Sequence, residues 1–343
     1  MKYLKKIKLI ILFFILPIFI GIIFYNFQLV SYIIKVSFCH FELLINRKPI
    51  KKLLQDKNTP QKLKNYFLLV KEIKEYSIKY INLKPTSNYE DFVDIKRDYL
   101  VYVISACSAF SLDIYTWNFP MIGKFPYKGF FNKKDAMEEL NKLKSEGYDT
   151  YIRKVDAYST LGLLPDPIIS TMLDYDEYNL ANIIIHESTH ATIFIKDNVD
   201  FNENLANFVG NQGAISFLSY KYGENSIQVK RAKSIQKDTL LFGKFINELY
   251  TKLKKLYSKK ITIYEKIKFF KFEKQEFIKL KTKFQTEIYK NFDKLEWNNA
   301  MISSYITYYK DLSEIEKIYQ NNNKNLFNMI KNLKKDGAVK LRY

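Results

Sequence analysis

Two of the three histidines in this chain stand four residues apart, with a glutamate directly after the first. Residues 186–190 read H-E-S-T-H, and the third histidine, His40, lies far upstream. Residues four apart share one face of an α-helix, so both imidazoles reach the same point only if this segment is helical. The flanking sequence predicts such a helix over residues 177–194, entered near Asp176.

The spacing H-E-x-x-H is typical of zinc-dependent hydrolases. Neutral imidazoles are good zinc ligands, and a carboxylate beside the metal can accept a proton from a water molecule whose pKa zinc has lowered. We therefore predict that His186 and His190 bind Zn²⁺ and that Glu187 acts as general base in amide hydrolysis. Apolar neighbours at positions 183–185, 191, 193 and 194 predict a site sheltered from bulk water.

A third protein ligand is needed if one metal position is to stay open for water. Glu203 is the candidate, because it stands early in a second helical pattern and the chain offers few other ligands. The competing interpretation is a helix cap, since Asp200 and Glu203 have the D-x-x-E spacing. Asn207, one turn further on, is a candidate for a hydrogen bond to a ligating imidazole, with simple surface exposure as the alternative.

An uncharged run over residues 9–34 follows several lysines at the start of the chain. Its strongly apolar part, residues 9–25, would be about 26 Å long as a helix, close to the thickness of a bilayer core. We expect residues 1–34 to be an uncleaved membrane anchor rather than a signal peptide, because no A-x-A-like site follows the run. The preceding lysines then place the body of the protein on the periplasmic or extracytoplasmic side.

Charge and cysteine content narrow the remaining classes of function. Fifty-five lysines and arginines against 36 acids give a net charge of +19, which permits contact with nucleic acid or an anionic lipid surface. Lysine is abundant along the whole chain, so solvated faces explain the excess equally well. No nucleic-acid partner is expected for a domain that faces outward. Two cysteines are too few for a disulfide framework or a four-thiolate zinc site.

Periodicity predicts a mainly helical α+β fold with a small sheet before the metal motif and long helices after it. Residues 99–110 fit a buried helix or a strand, which periodicity alone does not distinguish, and are read as a helix. Residues 133–146 are read as a helix and residues 148–155 as a strand. The sequence therefore predicts four parts of the chain. They are a membrane anchor (1–34), a helical region (35–110), a zinc-binding catalytic core (111–220) and a lysine-rich helical region (221–343).

Residues 201–209 read F-N-E-N-L-A-N-F-V. With the preceding H-E-x-x-H, this resembles the bacterial family of putative zinc aminopeptidases, in which F-N-E-x-x-A-x-F-V closely follows the metal helix. Segments at 117–130, 147–149, 157–167 and 298–308 also resemble the family in its order, so the resemblance covers most of residues 43–309. It implies a zincin-like zinc peptidase with His186, His190 and Glu203 on the metal and Glu187 as base.

This chain departs from the family pattern in three places. Ser188 and Thr189 stand where Leu-Ala is usual, and Ala191 stands where glutamine is frequent. No cysteine suited to lipidation follows Gly21. The first two departures bear on substrate fit rather than on metal binding, because hydroxyls at 188 and 189 can bond back to the preceding helical turn.

Residues 157–161 could form an edge strand that pairs with an extended peptide substrate. Tyr158 would then stabilise the oxyanion, with Tyr127 and Tyr308 as competing candidates and a purely structural tyrosine as the alternative. Asp166 is read as a turn residue beside Pro167.

The expected function is therefore a zinc-dependent peptidase, most simply an aminopeptidase, acting on peptide substrates. The alternatives are a membrane-anchored endopeptidase and a non-enzymatic interaction protein with a vestigial metal site. The sequence makes no prediction of oligomeric state.

Overall fold

The computed structural model describes residues 27–119, 123–156, 165–196, 198–307, 309 and 312–335. The chain divides into two compact units, one ending at Arg47 and the other beginning at Lys48. The described part of the first unit contains helix α1 (Phe27–Ile45). Every element discussed below, except where α1 is named, belongs to the second unit. The four-part division expected from the sequence stays a prediction.

Helices dominate the described residues of the second unit. They are α2 (Ile50–Gln55), α3 (Gln61–Ile81), α4 (Lys133–Ser145), α5 (Glu177–Thr192), α6 (Val199–Tyr222), α7 (Ile227–Leu256), α8 (Ile263–Lys281), α9 (Asn299–Ile306), α10 (Ser313–Asn321) and α11 (Leu326–Lys335). Short 3₁₀ turns cover Ser170–Asp174 and Phe292–Lys294. Together with small sheets these helices give the mainly helical α+β fold that the sequence predicts.

The strands are short and form three small sheets. They are β1 (Lys48–Pro49), β2 (Asp91–Val93), β3 (Val101–Ser108), β4 (Trp117–Phe119), β5 (Gly123–Phe125), β6 (Lys128–Phe130), β7 (Tyr148–Val155) and β8 (Ile168–Ile169). The sheet orders are β1-β2-β8, β6-β3-β7 and β4-β5. Strand β3 is antiparallel to both of its neighbours, with Ile104 opposite Ile152 on β7 and Lys128 on β6.

The helix predicted over residues 99–110 is wrong, because this segment forms strand β3. Side chains at both odd and even positions of the strand are buried, including those of Tyr102, Val103 and Ile104. A strand covered on both faces shows no apolar alternation, so its sequence cannot be distinguished from a buried helix by period. Helices α4 and α9 contact this strand and account for its burial.

The predicted membrane anchor requires a correction. Within the described residues no helix has both the length and the apolarity needed to cross a bilayer. The strongly apolar stretch, residues 9–25, lies outside the described residues. The described remainder of the run, residues 27–34, belongs to α1. The expected membrane localisation with the body on the extracytoplasmic side is corrected to this finding, that the described residues contain no helix able to span a membrane.

Helices α5 and α6 form a hairpin that α3 supports from the side. The Tyr76 hydroxyl on α3 lies 2.7 Å from the Ser216 hydroxyl on α6. The backbone N–H of Lys84, just after α3, donates to the Thr192 hydroxyl at the end of α5 over 2.8 Å. These bonds, together with buried side chains of α3 such as Phe67 and Ile73, fix the hairpin in the body of the unit.

The described part of the lysine-rich region beyond residue 220 is largely helical, as its period predicts, and encloses a second core rich in aromatic rings. Phe242 on α7 lies at its centre, stacked on Tyr289 with ring centroids 4.2 Å apart. Asp238, also on α7 and 1% exposed, binds the loop after α8. Its carboxylate accepts from the backbone N–H groups of Gln285 and Thr286 at 2.8 and 2.7 Å and from the Thr286 hydroxyl at 2.7 Å.

We predict that Asp238→Ala lowers the free energy of unfolding by about 2–4 kcal/mol, because three donors lose a charged acceptor in a buried place. The measurement is urea denaturation of the full chain. Glu287→Ala is the control, since Glu287 lies in the same loop with its side chain 81% exposed and should change stability by less than about 0.5 kcal/mol. Equal effects of the two substitutions would contradict the assigned role of Asp238.

Candidate metal centre

Helix α5 begins where the sequence predicts. The side chain of Asp176 caps it by accepting from the backbone N–H of Asn179 at 2.9 Å. The helix ends at Thr192, slightly before the predicted end at residue 194. The hydroxyls of Ser188 and Thr189 donate to the carbonyls four residues earlier at 2.7 and 2.8 Å. Both polar residues inside the motif are thereby satisfied within the helix.

Helix α6 follows after a short connection and carries Glu203 in its second turn. Its N-cap is Asn198, whose side chain accepts from the backbone N–H of Phe201 at 3.2 Å. A capping box would place the reciprocal acid three residues after the cap, which is position 201 rather than 203. The competing interpretation of Glu203 as a helix cap therefore does not match this helix start.

The imidazoles of His186 and His190 meet the carboxylate of Glu203 at one point. The two Nε2 atoms lie 3.1 Å apart. Glu203 Oε1 lies 3.4 Å from His190 Nε2, and Oε2 lies 3.9 Å from His186 Nε2. One ligand atom from each residue falls within 4.8 Å of the others, so the group could hold a metal ion. The structure thus brings together the three predicted ligands.

The spacing of these atoms fits a small divalent ion. Nitrogen ligands lie about 2.0–2.1 Å from zinc and carboxylate oxygens about 2.0–2.2 Å, so two ligands in a tetrahedral arrangement are about 3.3–3.4 Å apart. The separations of 3.1 and 3.4 Å agree with that value within a few tenths of an ångström, and the 3.9 Å between His186 Nε2 and Glu203 Oε2 is about half an ångström longer. The imidazole side chains are 16% exposed and the Glu203 side chain 43%, which leaves one side of the group open.

The environment of His186 favours an uncharged imidazole. Burial and, after it, the neighbouring His190 ring lower the pKa of His186 to about 3. A side-chain hydrogen bond to Asn207 acts in the opposite direction. Because metal ions bind the neutral form of histidine, His186 needs no deprotonation to serve as a ligand. Asn207 is thus placed where the sequence predicts, next to an imidazole.

Glu187, the predicted base, is partly buried and lies close to a tyrosine that the sequence reasoning missed. Burial raises the pKa of Tyr89 well above its ordinary value, and the charge of Glu187 contributes after it. Tyr89 has a left-handed backbone, with φ 64°, and its N–H donates to the carbonyl of Asp166 at 2.6 Å. A left-handed non-glycine residue has no sequence signature, so no pattern could have identified Tyr89.

Asn202 is a second residue near the site to which the sequence reasoning assigned no role. Its side chain is 3% exposed and makes two hydrogen bonds to the backbone of Ile195, accepting from N–H and donating to the carbonyl, both at 2.8 Å. This pair of bonds ties the start of α6 to the segment after α5. Since Glu203 is the next residue, Asn202 fixes the position of the backbone from which the Glu203 side chain extends. The position of Asn202 in the F-N-E motif, directly before Glu203, was the sequence signal that could have identified it.

One of the three candidates for oxyanion stabilisation lies within the described residues. Tyr158 and Tyr308 lie outside the described residues. Tyr127, between β5 and β6, is 47% exposed, and its ring lies against Phe125 with centroids 6.3 Å apart. His40 belongs to α1 in the other compact unit. Asp166, read as a turn residue, is 4% exposed and receives the bond from Tyr89 described above.

The fold and this group of side chains define a mainly helical α+β protein with a candidate metal centre on a helical hairpin. The sequence pattern of the family described as "Putative aminopeptidase" matches residues 31–340. Because the match covers most of the chain, the protein belongs to this family. Neither the curated proteins nor the solved structures contain a significant match. The family description therefore indicates a peptidase.

We predict that Asn202→Ala lowers the free energy of unfolding by about 1–3 kcal/mol, because an N–H and a carbonyl of the partly buried connection lose their partners. Affinity for a divalent metal should fall as well, since the backbone at Glu203 is no longer held in place. Urea denaturation and a zinc titration against a chelator measure the two effects. Asn179→Ala, at an exposed position of α5, is the matched control and should change neither quantity. Wild-type values for Asn202→Ala would contradict this assignment.

Proposed function

We propose that this protein is a zinc-dependent peptidase of aminopeptidase type, acting on peptide substrates through a zincin-like core. The observation that carries the proposal is the convergence of His186, His190 and Glu203 on one point, in a chain whose family is described as aminopeptidases. Two imidazoles and one carboxylate with an open side are the donor set of catalytic rather than structural zinc sites.

In this proposal the zinc ligands are His186 and His190 from α5 and Glu203 from α6. Bound there, Zn²⁺ would supply a Lewis acid that polarises a peptide carbonyl and lowers the pKa of a water molecule. The low pKa of His186 keeps its imidazole available as a ligand. Asn207 orients that ring through its hydrogen bond, as groups that hold a ligating histidine commonly do.

Glu187 is proposed as the general base. It directly follows His186, so its side chain projects about 100° further round the helix. Its carboxylate would accept a proton from the attacking water and deliver it to the amine that leaves. Tyr89 remains protonated near Glu187, because both burial and that negative charge raise its pKa. A protonated phenol adds no second negative charge to the site.

We predict that His190→Ala removes stoichiometric zinc from the purified full-length protein, because two ligands cannot hold the ion as three do. His40→Ala is the matched control and should retain the zinc of the wild type, since His40 lies in the other compact unit. Metal analysis after dialysis measures both. A wild-type protein without bound zinc, or a His190→Ala variant with full zinc, would rule out the proposed centre.

We further predict that Glu187→Gln lowers kcat for peptide hydrolysis by at least about 100-fold while zinc content stays unchanged, because an amide cannot accept the proton. Glu75→Gln, an exposed control on α3, should keep full activity. Assays on an amino-terminal aminoacyl amide and on an amino-blocked peptide distinguish exopeptidase from endopeptidase activity. Wild-type turnover by Glu187→Gln would refute the assigned role of this residue.

A further inference from the structure

Gly210 on α6 lies directly against the helix that carries both imidazoles. A methyl group built on Gly210 would lie 3.0 Å from the backbone oxygen of Asn182 and 3.2 Å from the Cβ atom of His186. Neither atom can move away by changing a side-chain rotamer. Any side chain at position 210 would therefore push α6 away from α5 beside His186.

Asn211, the next residue, holds the same two helices together through polar contacts. Its Oδ1 atom accepts from the Tyr178 hydroxyl at 2.8 Å and from Asn182 Nδ2 at 2.7 Å, and both donors belong to α5. One acceptor shared by donors on successive turns fixes the position of α6 along α5. Gly210 thus sets how closely the helices approach, and Asn211 sets their register.

These contacts continue the row of residues that forms the metal centre. Tyr178, Asn182, His186 and His190 repeat every four residues and lie on one face of α5. On α6 the opposing residues run in the reverse order, from Glu203 through Asn207 to Gly210 and Asn211. The hairpin is therefore antiparallel, with the ligands at its closed end.

We propose that Gly210 and Asn211 are positioning residues for the metal centre, which set the distance between Glu203 and the imidazoles without offering a ligand atom. The proposal rests on the zinc site proposed above. Gly210 and Glu203 are about 10 Å apart along one helix, which moves as a rigid body over that length. A methyl group at Gly210 requires the neighbouring atoms to give by a few tenths of an ångström. Metal–ligand distances tolerate only about ±0.2 Å.

Gly243, in the middle of α7, provides a matched control. A methyl group there would lie 3.3 Å from Tyr309 Cδ1 and 3.5 Å from Tyr309 Cβ, and its nearest neighbours include no atom of α5. Gly210→Ala and Gly243→Ala thus add the same atom inside a helix, but only the first adds it between α5 and α6.

The test compares the two variants in the full-length protein by zinc affinity, from competition with a chelator, and by the visible absorption spectrum of bound Co²⁺. Gly210→Ala should weaken zinc binding by about tenfold or more and alter the Co²⁺ spectrum. Gly243→Ala should stay within about threefold of the wild type with an unchanged spectrum. A thermal melt separates these effects from unfolding, and alanine is the better helix former in both variants.

Asn211→Ala provides a second variant that adds no atom, and Asn211→Asp retains an acceptor for both donors. The first should weaken zinc binding and the second should restore it. Wild-type affinity and spectrum in Gly210→Ala and Asn211→Ala would overturn the proposal, as would equal losses in Gly210→Ala and Gly243→Ala. A wild-type protein that binds no zinc would instead refute the proposed function itself, so the two failures are distinguishable.

Discussion

The antiparallel packing of α5 on α6 is the interaction on which the candidate centre depends. Glu203 belongs to one helix and the two imidazoles to the other, so no single element holds the three groups. Fully buried side chains hold the helices together on either side of the polar row, including Ile184 and Ile185 on α5 and Leu205 and Val209 on α6. Their burial, at roughly 1.5–3 kcal/mol each, offsets the cost of enclosing imidazoles between helices.

Several polar groups close to the ligands are satisfied locally. Ser188 and Thr189 bond within α5, and the Thr192 hydroxyl both donates to Ser188 O at 2.6 Å and accepts from Lys84 N. Asn202 satisfies the connection between the helices. Since unpaired buried polar groups are costly, this saturation fixes one arrangement of the backbone around the ligands. The carboxylate of Glu203 remains the most exposed of the three ligand groups.

Much of the site could be predicted from sequence because its chemistry is local. The H-E-x-x-H spacing places two imidazoles on one face of a helix, and the scarcity of other histidines indicated Glu203 as the third ligand. The contributions of Tyr89, Gly210 and Asn211 could not be predicted. They depend on a left-handed backbone, on the distance between two helices and on a register that no period encodes. Their roles follow only from the relative placement of the chain segments.

The fold was predictable where helices or strands have one exposed face. Helix α4 and strand β7 lie close to their predicted bounds, and α7 and α8 have the period expected of amphipathic helices. Strand β3 was misread because its whole surface is covered.

All three candidate ligands lie between residues 186 and 203, on consecutive helices joined by a short turn. Contacts between residues so close in sequence require little loop-closure entropy and form early on a folding pathway. Strand β3, by contrast, pairs with β7 across some forty intervening residues. The three ligands can consequently come together within a local part of the chain before strands β3 and β7 pair.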